Sequence, residues 1–438
     1  MTAAANSSGN SDAAQLGKWQ VVRLAHLVQR NRAISYGIVQ PGKVDVAGVP
    51  IVRVTDVRGG RIASDRPLRV APEVEASYAR TRLQGGELLV TLVGTVGESA
   101  IVPPQLEGWN VARAIAVIPI RDDIGARWVH WALQDPAAKR FIADRVNTTV
   151  QTTLNLRDLA ELPIQLPPIE EQRAIASVLG ALDDKIELNR RMNETLEALA
   201  RAIFTSWFVD FDPVRAKAEG RQPVGMDAET AALFPDSFED SPLGPIPSGW
   251  QALPLDRLAT FLNGLALQRY QPTGVGDLPA IKIPELRAGV TSSTGRASAD
   301  VPEQYVVADG DVLFSWSGSL VAVLWAGGIG ALNQHLFRVT SNEYPRWLYY
   351  FWIREHLETF RQIAAGKATT MGHIQRGHLS QADCIVPPME LLRRTSDILE
   401  PMLDAIVSHG VESRSVTAIR DALLPKLVSG EIRIAADA

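Results

Sequence analysis

The chain has 438 residues, of which 46% are hydrophobic and 21% charged, with a net charge of −5 and one cysteine. That length exceeds one ordinary core, so two or three domains are expected. The lone Cys384 excludes a disulfide framework and a cysteine-ligated metal site, and no apolar run reaches the ~18 residues that a membrane span needs.

In chain order, residues 1–16 (MTAAANSSGNSDAAQL) are small and polar and read as a disordered tail. They lack the basic start and apolar run of a signal peptide, so the expected location is cytoplasmic. Residues 17–165 form a first β-rich domain. Its runs VPIVRVTDV, ELLVTLVG and ARAIAVIPI are β-branched segments bounded by Gly, Pro and Asp, the signature of strands, and a helical pattern follows at about 125–145. Residues 166–208 predict one long helix. Residues 209–247, rich in Pro, Asp and Glu, read as a linker whose start, WFVDFDPV, is packed by Trp207, Phe208 and Phe211. A second domain spans 248–386, with a helical pattern at 346–364. A second long helix spans 387–430, and 431–438 is a tail. The fold class is α/β (α+β): two mixed globules and two projecting helices.

The charge is partitioned. Residues 1–165 hold 19 Lys and Arg against 15 Asp and Glu, whereas residues 166–247 hold 8 against 15. The first globule is thus mildly basic, which permits DNA binding without demonstrating it.

The chain repeats itself. GKWQVVRL at 17–24 matches SGWQALPL at 248–255, VPIVRVTDVRGG at 49–60 matches LPAIKIPELRAG at 278–289, and GGELLVTLVG at 85–94 matches DGDVLFSWSG at 309–318. ARWVHWAL resembles PRWLYYFW, and LPIQLPPIE matches ADCIVPPME. The order is preserved in both halves, as duplication predicts.

In the first long helix Leu179, Leu182, Ile186, Leu196, Ala200, Ile203 and Trp207 recur at alternating three- and four-residue steps, with Asn189 and Asn193 in the intervening slots. That is the seam of a coiled coil. The second helix keeps the pattern at Leu399, Met402, Ile406, His409, Ser413, Val416, Arg420 and Leu423, with polar residues at the same two slots. The matching interruptions predict that the helices pack on each other and act as a ruler; an antiparallel pair would relate the two halves by an approximate two-fold axis. Residues 179–207 would span about 43 Å, against about 34 Å for one turn of B-DNA. Two globules held by such a rod would read unlike half-sites. Pro401 predicts that the second helix starts near 400 or kinks there.

Patterns of catalysis are missing from the sequence. The Pro-Pro pairs at 103–104, 167–168 and 387–388 lack the acidic or amide residue and the aromatic of an amino-methyltransferase motif. No GxxxxGK[ST] phosphate loop occurs, and Gly274-Val275-Gly276 reads as a turn. Pro235-Asp236 and the following FEDS lack the Glu-x-Lys of a metal nuclease, and the histidines, His373 and His378 included, show no metal-ligand spacing. Cys384 reads as a small buried hydrophobe.

The phrases LPPIEEQRAIASVLGALDDKIELNRRMNETLEALARAIFTSWFVDFDPV, LFPDSFEDSPLGPIPSGW and ALLPKLVSGEI resemble the specificity (S) subunit of type I restriction–modification systems, and the likeness runs over about 17–432. The resemblance implies two target-recognition domains and an antiparallel coiled coil. It further implies a non-catalytic subunit that recognises a bipartite asymmetric site on double-stranded DNA and directs adenine methylation or cleavage by its partners. Two methyltransferase (M) subunits would supply S-adenosylmethionine, and restriction (R) subunits would use ATP and magnesium, with no cofactor on this chain. It also points to Glu170, Glu171, Gln172 and Arg173 as an M-subunit docking surface, although acidic residues in a first helical turn also suit the helix dipole.

Direct base readout needs polar side chains on loops and strand ends. In the first domain the candidates are Arg30, Arg32, Ser35, Tyr36 and Lys43; Arg53, Thr55 and Arg58; Thr91 and Thr95; and Asn147 and Gln151. In the second they are Gln268, Arg269, Tyr270 and Lys282; Ser315, Trp316 and Ser317; Asn333, Gln334 and His335; and Lys367, Thr369, Thr370 and His373. Two other readings stay open: a self-contained nucleic-acid-modifying enzyme, and a scaffold that binds proteins.

Overall fold

The structure is a computed structural model and describes residues 19–63, 65, 67–146, 152–366 and 372–434. The chain divides into two compact units, one of residues 1–184 with 417–438 and the other of residues 185–416. Each unit therefore holds one globule together with a stretch of both long helices, so neither helix is a separate body.

In the first unit, strand Gln20–Arg23 pairs antiparallel with Pro163–Leu166, joining the beginning of the globule to its end. A four-stranded antiparallel sheet follows in the order Ser35–Tyr36, Ile115–Ile118, Leu88–Thr91, Ser99–Ile101. The two central strands are buried at every position, which explains their unbroken apolar runs. A smaller sheet sets Val49–Val52 between antiparallel Leu68–Val70 and parallel Asn110–Val111. The helical pattern at 125–145 is two helices, Ala126–Ala132 and Pro136–Arg145. Proline cannot continue the first, and Asp135 caps the second by accepting from Ala137 N at 2.5 Å. Trp128, Trp131, Leu88, Val90 and Leu162 share a core with Leu179 from the first long helix and with Leu427 and Val428 from the second.

The second unit repeats this wiring. Gln251–Pro254 pairs with Asp383–Val386, and a four-stranded sheet runs Thr260–Asn263, Leu336–Thr340, Val312–Ser315, Ala322–Leu324. Leu278–Ile281 lies parallel to Gly330–Leu332. The helix Arg346–Gly366 buries Trp347, Phe351 and Phe360, and Phe204 stacks on Phe351 with ring centroids 5.3 Å apart. Each such side chain contributes about 1.5–3 kcal/mol through burial.

The first long helix runs Ile169–Phe204 and ends in a π-type turn, Thr205–Val209. Phe211 then takes a left-handed backbone, φ 57°, which its packing on Phe238 and Trp250 secures. Residues 209–247 are no bare linker: they form helices Asp212–Ala218 and Ala228–Ala232 and the hairpin Phe238–Ser241/Gly244–Pro247.

The second long helix runs unbroken from Met389 to Val428, so of the two alternatives at Pro401 the start near 400 is wrong. Leu399 and Leu403 on either side of Pro401 are fully buried, and that packing outweighs the single backbone hydrogen bond that proline forfeits.

Within each unit the helices run antiparallel. In the first, Arg420 donates to Asp183 at 3.1 Å. In the second, Lys185 pairs with Glu412 at 2.9 Å, and the fully buried Asn189 amide donates to Glu412 at 2.9 Å and to Ser413 at 3.2 Å. Asn193 donates to the Ile406 carbonyl at 3.0 Å and accepts from His409 Nδ1 at 2.9 Å. The polar slots thus face one another. Of the apolar seam, Leu179, Ala200, Trp207 and Leu399 are buried, and Leu182, Ile186, Leu196, Ile203, Met402, Ile406, Val416 and Leu423 are half-buried.

Candidate nucleic-acid interface

At one end of each four-stranded sheet, four segments are held together by the same backbone hydrogen bonds. In the first unit Ile38 N donates to Val111 O at 2.8 Å, Arg113 N to Ile38 O at 2.8 Å, Leu92 N to Ala114 O at 2.7 Å, and Gly94 N to Thr152 O at 3.0 Å. In the second, Leu265 N donates to Leu332 O at 2.9 Å, Gln334 N to Leu265 O at 2.8 Å, Trp316 N to His335 O at 3.3 Å, and Gly318 N to Gly372 O at 2.8 Å. The result is a loop cluster assembled from residues 36–38, 92–97, 112–114 and 152–154, and its counterpart from 263–265, 316–321, 333–335 and 372–374.

Two devices shape each cluster. A glycine permits the close backbone crossing: a Cβ on Gly37 would lie 1.9 Å from Val111 O, and one on Gly264 would lie 2.3 Å from Asn333 O. A buried hydroxyl then folds the loop. Thr91 Oγ1 donates to the Thr95 carbonyl and accepts from Glu98 N at 3.0 Å. Ser315 Oγ donates to the Ser319 carbonyl and accepts from Val321 N, both at 2.8 Å.

Against this constant backbone the side chains differ. Tyr36 occupies the sheet position of Asn263, Arg113 that of Gln334, Ala114 that of His335, and Thr153 that of His373. Trp316 faces His335 and His373 at centroid distances of 5.8 and 6.2 Å. Its Nε1 donates to Asn263 Oδ1 at 2.8 Å and to Gln334 O at 3.1 Å, so this indole forms a wall of the cluster. Ser317, almost fully buried, lies 2.9 Å from His335 Nδ1, and Gln334 Nε2 lies 3.4 Å from His335 Nε2.

Of the sequence candidates, Tyr36, Thr95, Trp316, Gln334, His335 and His373 fall in these clusters. Ser317 and Asn333 are there too and Thr91 and Ser315 border them, all four buried as supports. Arg30, Lys43, Thr55, Arg58, Gln268, Arg269 and Lys282 are exposed, while Ser35 and Tyr270 are half-buried. Arg32 is held by Glu87 at 2.8 Å, and Arg53 forms a bidentate pair with Asp56 at 3.0 and 2.9 Å, so both guanidiniums serve the fold. Asn147, Gln151, Lys367, Thr369 and Thr370 lie outside the described residues. Sequence reading missed Arg113 and Asn263. Alignment of VARAIAV with LNQHLFR would have paired Arg113 with Gln334.

Other expectations resolve locally. Gly274–Gly276 is a turn tied by Asp277, which accepts from Gly274 N at 2.7 Å. Among the described residues no group of three His, Cys, Asp or Glu is placed to hold a metal ion, and no helix is long and apolar enough to cross a membrane. Cys384 is fully buried. Of the four residues assigned to partner docking, Glu170 and Arg173 are exposed and paired at 3.3 Å. Glu171 and Gln172 are buried instead. Gln172 donates to the Ile124 carbonyl, while Glu171 accepts from Trp19 Nε1 at 2.9 Å and from Arg433. Burial raises the Glu171 carboxyl, but Arg433 and Trp19 outweigh it and leave the group below its ordinary range.

A family model described as the type I restriction modification DNA specificity domain matches residues 17–198 and 247–411, most of the chain. The chain belongs to this family. Among family members, the type I restriction enzyme HindI specificity subunit of Haemophilus influenzae is 27% identical over 67% of this chain and 74% of its own length. The EcoBI specificity subunit of Escherichia coli is 31% identical over 49% of this chain and 46% of its own. The crystal structure of a type I restriction–modification S subunit from M. genitalium superposes with a TM-score of 0.50 at 14% identity, covering 94% of this chain and 96% of that one, a likeness of fold. Both loop clusters fall within the residues that the family model matches.

Proposed function

We propose that this chain is the DNA-reading subunit of a type I restriction–modification complex. Each loop cluster reads one half of a bipartite, asymmetric site on double-stranded DNA, and the chain itself carries out no chemistry. Two methyltransferase subunits, bringing S-adenosylmethionine, modify adenines at the site, and restriction subunits use ATP and magnesium to cleave unmodified DNA. The antiparallel helices set the spacing between the half-sites. The target-recognition domains are residues 17–165 and 248–386.

One observation supports this reading above the others: the backbone hydrogen bonds of the two clusters repeat, whereas the side chains on them do not. A scaffold that binds one protein twice would keep the side chains as well. A pair of readers for unlike sequences keeps the frame and varies what touches the bases. The exposed Glu170–Arg173 pair leaves a polar face at the start of the first long helix for a methyltransferase subunit.

The test is to co-express the chain with its methyltransferase partner in a methylation-free host and map methylated adenines across the genome. The expected result is one two-part, non-palindromic motif with a fixed spacer. A continuous palindrome, or no motif at all, contradicts the proposal.

A further inference from the structure

The turns 112–114 and 333–335 stand at equivalent places, and each presents a long polar side chain from its middle residue. The Arg113 and Gln334 amides donate to Ile38 O and Leu265 O at the same distance, 2.8 Å, so the two side chains leave the backbone at matching points of the frame. Arg113 is exposed, and among the described residues its guanidinium makes no hydrogen bond or ion pair. This contrasts with Arg32 and Arg53, which Glu87 and Asp56 occupy. Gln334 is half-buried. Its Nε2 is steadied by His335, which the buried Ser317 hydroxyl holds in turn, and among the described residues the second N–H and the Oε1 of the amide make no hydrogen bond, which leaves them to a ligand.

We infer that Arg113 and Gln334 are specificity-determining residues, Arg113 selecting a guanine in one half-site and Gln334 an adenine in the other. The chemistry follows from hydrogen-bond geometry. A planar guanidinium fork matches the paired acceptors O6 and N7 of guanine, whereas a carboxamide offers the donor and acceptor that adenine N7 and N6 require. The inference rests on the DNA-reading function proposed above.

The test maps methylated adenines for wild type, Arg113→Lys, Arg113→Gln, Arg113→Ala and Gln334→Ala, each co-expressed with the methyltransferase partner and each purified as a complex with the wild-type melting midpoint. Lysine keeps the charge but loses the fork. Arg113→Lys is therefore expected to cut discrimination at one guanine position by about tenfold to a hundredfold while the other half-site stays intact. Arg113→Gln should shift preference at that position toward adenine, and Gln334→Ala should relax one adenine position in the opposite half. The inference is overturned if these variants keep the wild-type motif. It is equally overturned if Arg113→Lys discriminates like wild type while Arg113→Ala weakens methylation at all sites alike, the behaviour of a phosphate anchor. Failure of the underlying function looks different: wild type itself then yields no two-part motif.

Discussion

Arg127 lies 2.6 Å from Asp184, and its repeat counterpart Arg346 lies 2.6 Å from Asp404. In each unit this ion pair ties the helix that covers the sheet to one of the long helices, Arg127 to the first and Arg346 to the second. Duplication has kept the clamp, but its surroundings have diverged. The first pair is open to water, with exposures of 53% and 62%, whereas Arg346 is 22% exposed and also meets Glu400 at 2.7 Å. Arg346→Ala is expected to destabilise the second unit by about 2 kcal/mol and Arg127→Ala the first by less than about 1 kcal/mol. Hydrogen exchange of the central strands in each unit measures both. Equal losses would contradict the difference in burial.

The crossing glycines should be intolerant of a single methyl group. Gly37→Ala and Gly264→Ala each drive a Cβ into a facing carbonyl, at a cost of about 1–3 kcal/mol or more. Each substitution should erase the reading of one half-site and spare the other. Normal melting and a normal motif for either variant would show that the backbone yields there.

His130 makes the first unit sensitive to pH. Burial pushes its imidazole from 6.5 down to about 4, with Asp183 partly opposing the shift, and Ser99 lies 2.9 Å from Nδ1. The folded state therefore resists a proton that the unfolded chain accepts. The neutral ring's contribution is fully present above pH 6.5 and is lost as pH falls toward 4. With the ring half-buried, the loss is about 2 kcal/mol. Denaturant melts between pH 7 and 4 should show a shallower slope for His130→Gln than for wild type. An identical slope would assign the titration to other groups.

The polar slots of the helix pair should behave as a unit. His409→Leu alone leaves the Asn193 oxygen without its donor and should cost about 1–3 kcal/mol. Adding Asn193→Leu removes both polar groups and should recover most of that loss. A double-mutant cycle in thermal melts reads the coupling directly. Additive losses would mean that the 2.9 Å contact contributes nothing.

Much of the architecture is legible in the sequence, because it rests on signals local to each segment. The β-branched runs, the Pro-Pro entries to both long helices and the Asn189 and Asn193 interruptions all announce themselves within a few residues. What the sequence hides depends on partners distant along the chain. Nothing near Arg32 reveals that Glu87 will neutralise it, and nothing near Thr91 or Ser315 shows that these hydroxyls point inward. Glu171 sits in a run that looks solvent-facing, yet Arg433, 262 residues away, draws it into the fold. Pro401 misleads for the same reason, since the burial of Leu399 and Leu403 is a tertiary effect.

The most direct measurement exchanges residues 17–165 for the corresponding domain of another family member, co-expresses the chimera with the methyltransferase partner, and maps methylated adenines. One half of the motif is expected to be replaced while the other half and the spacer length remain. Loss or alteration of both halves together would contradict two independent readers on one frame.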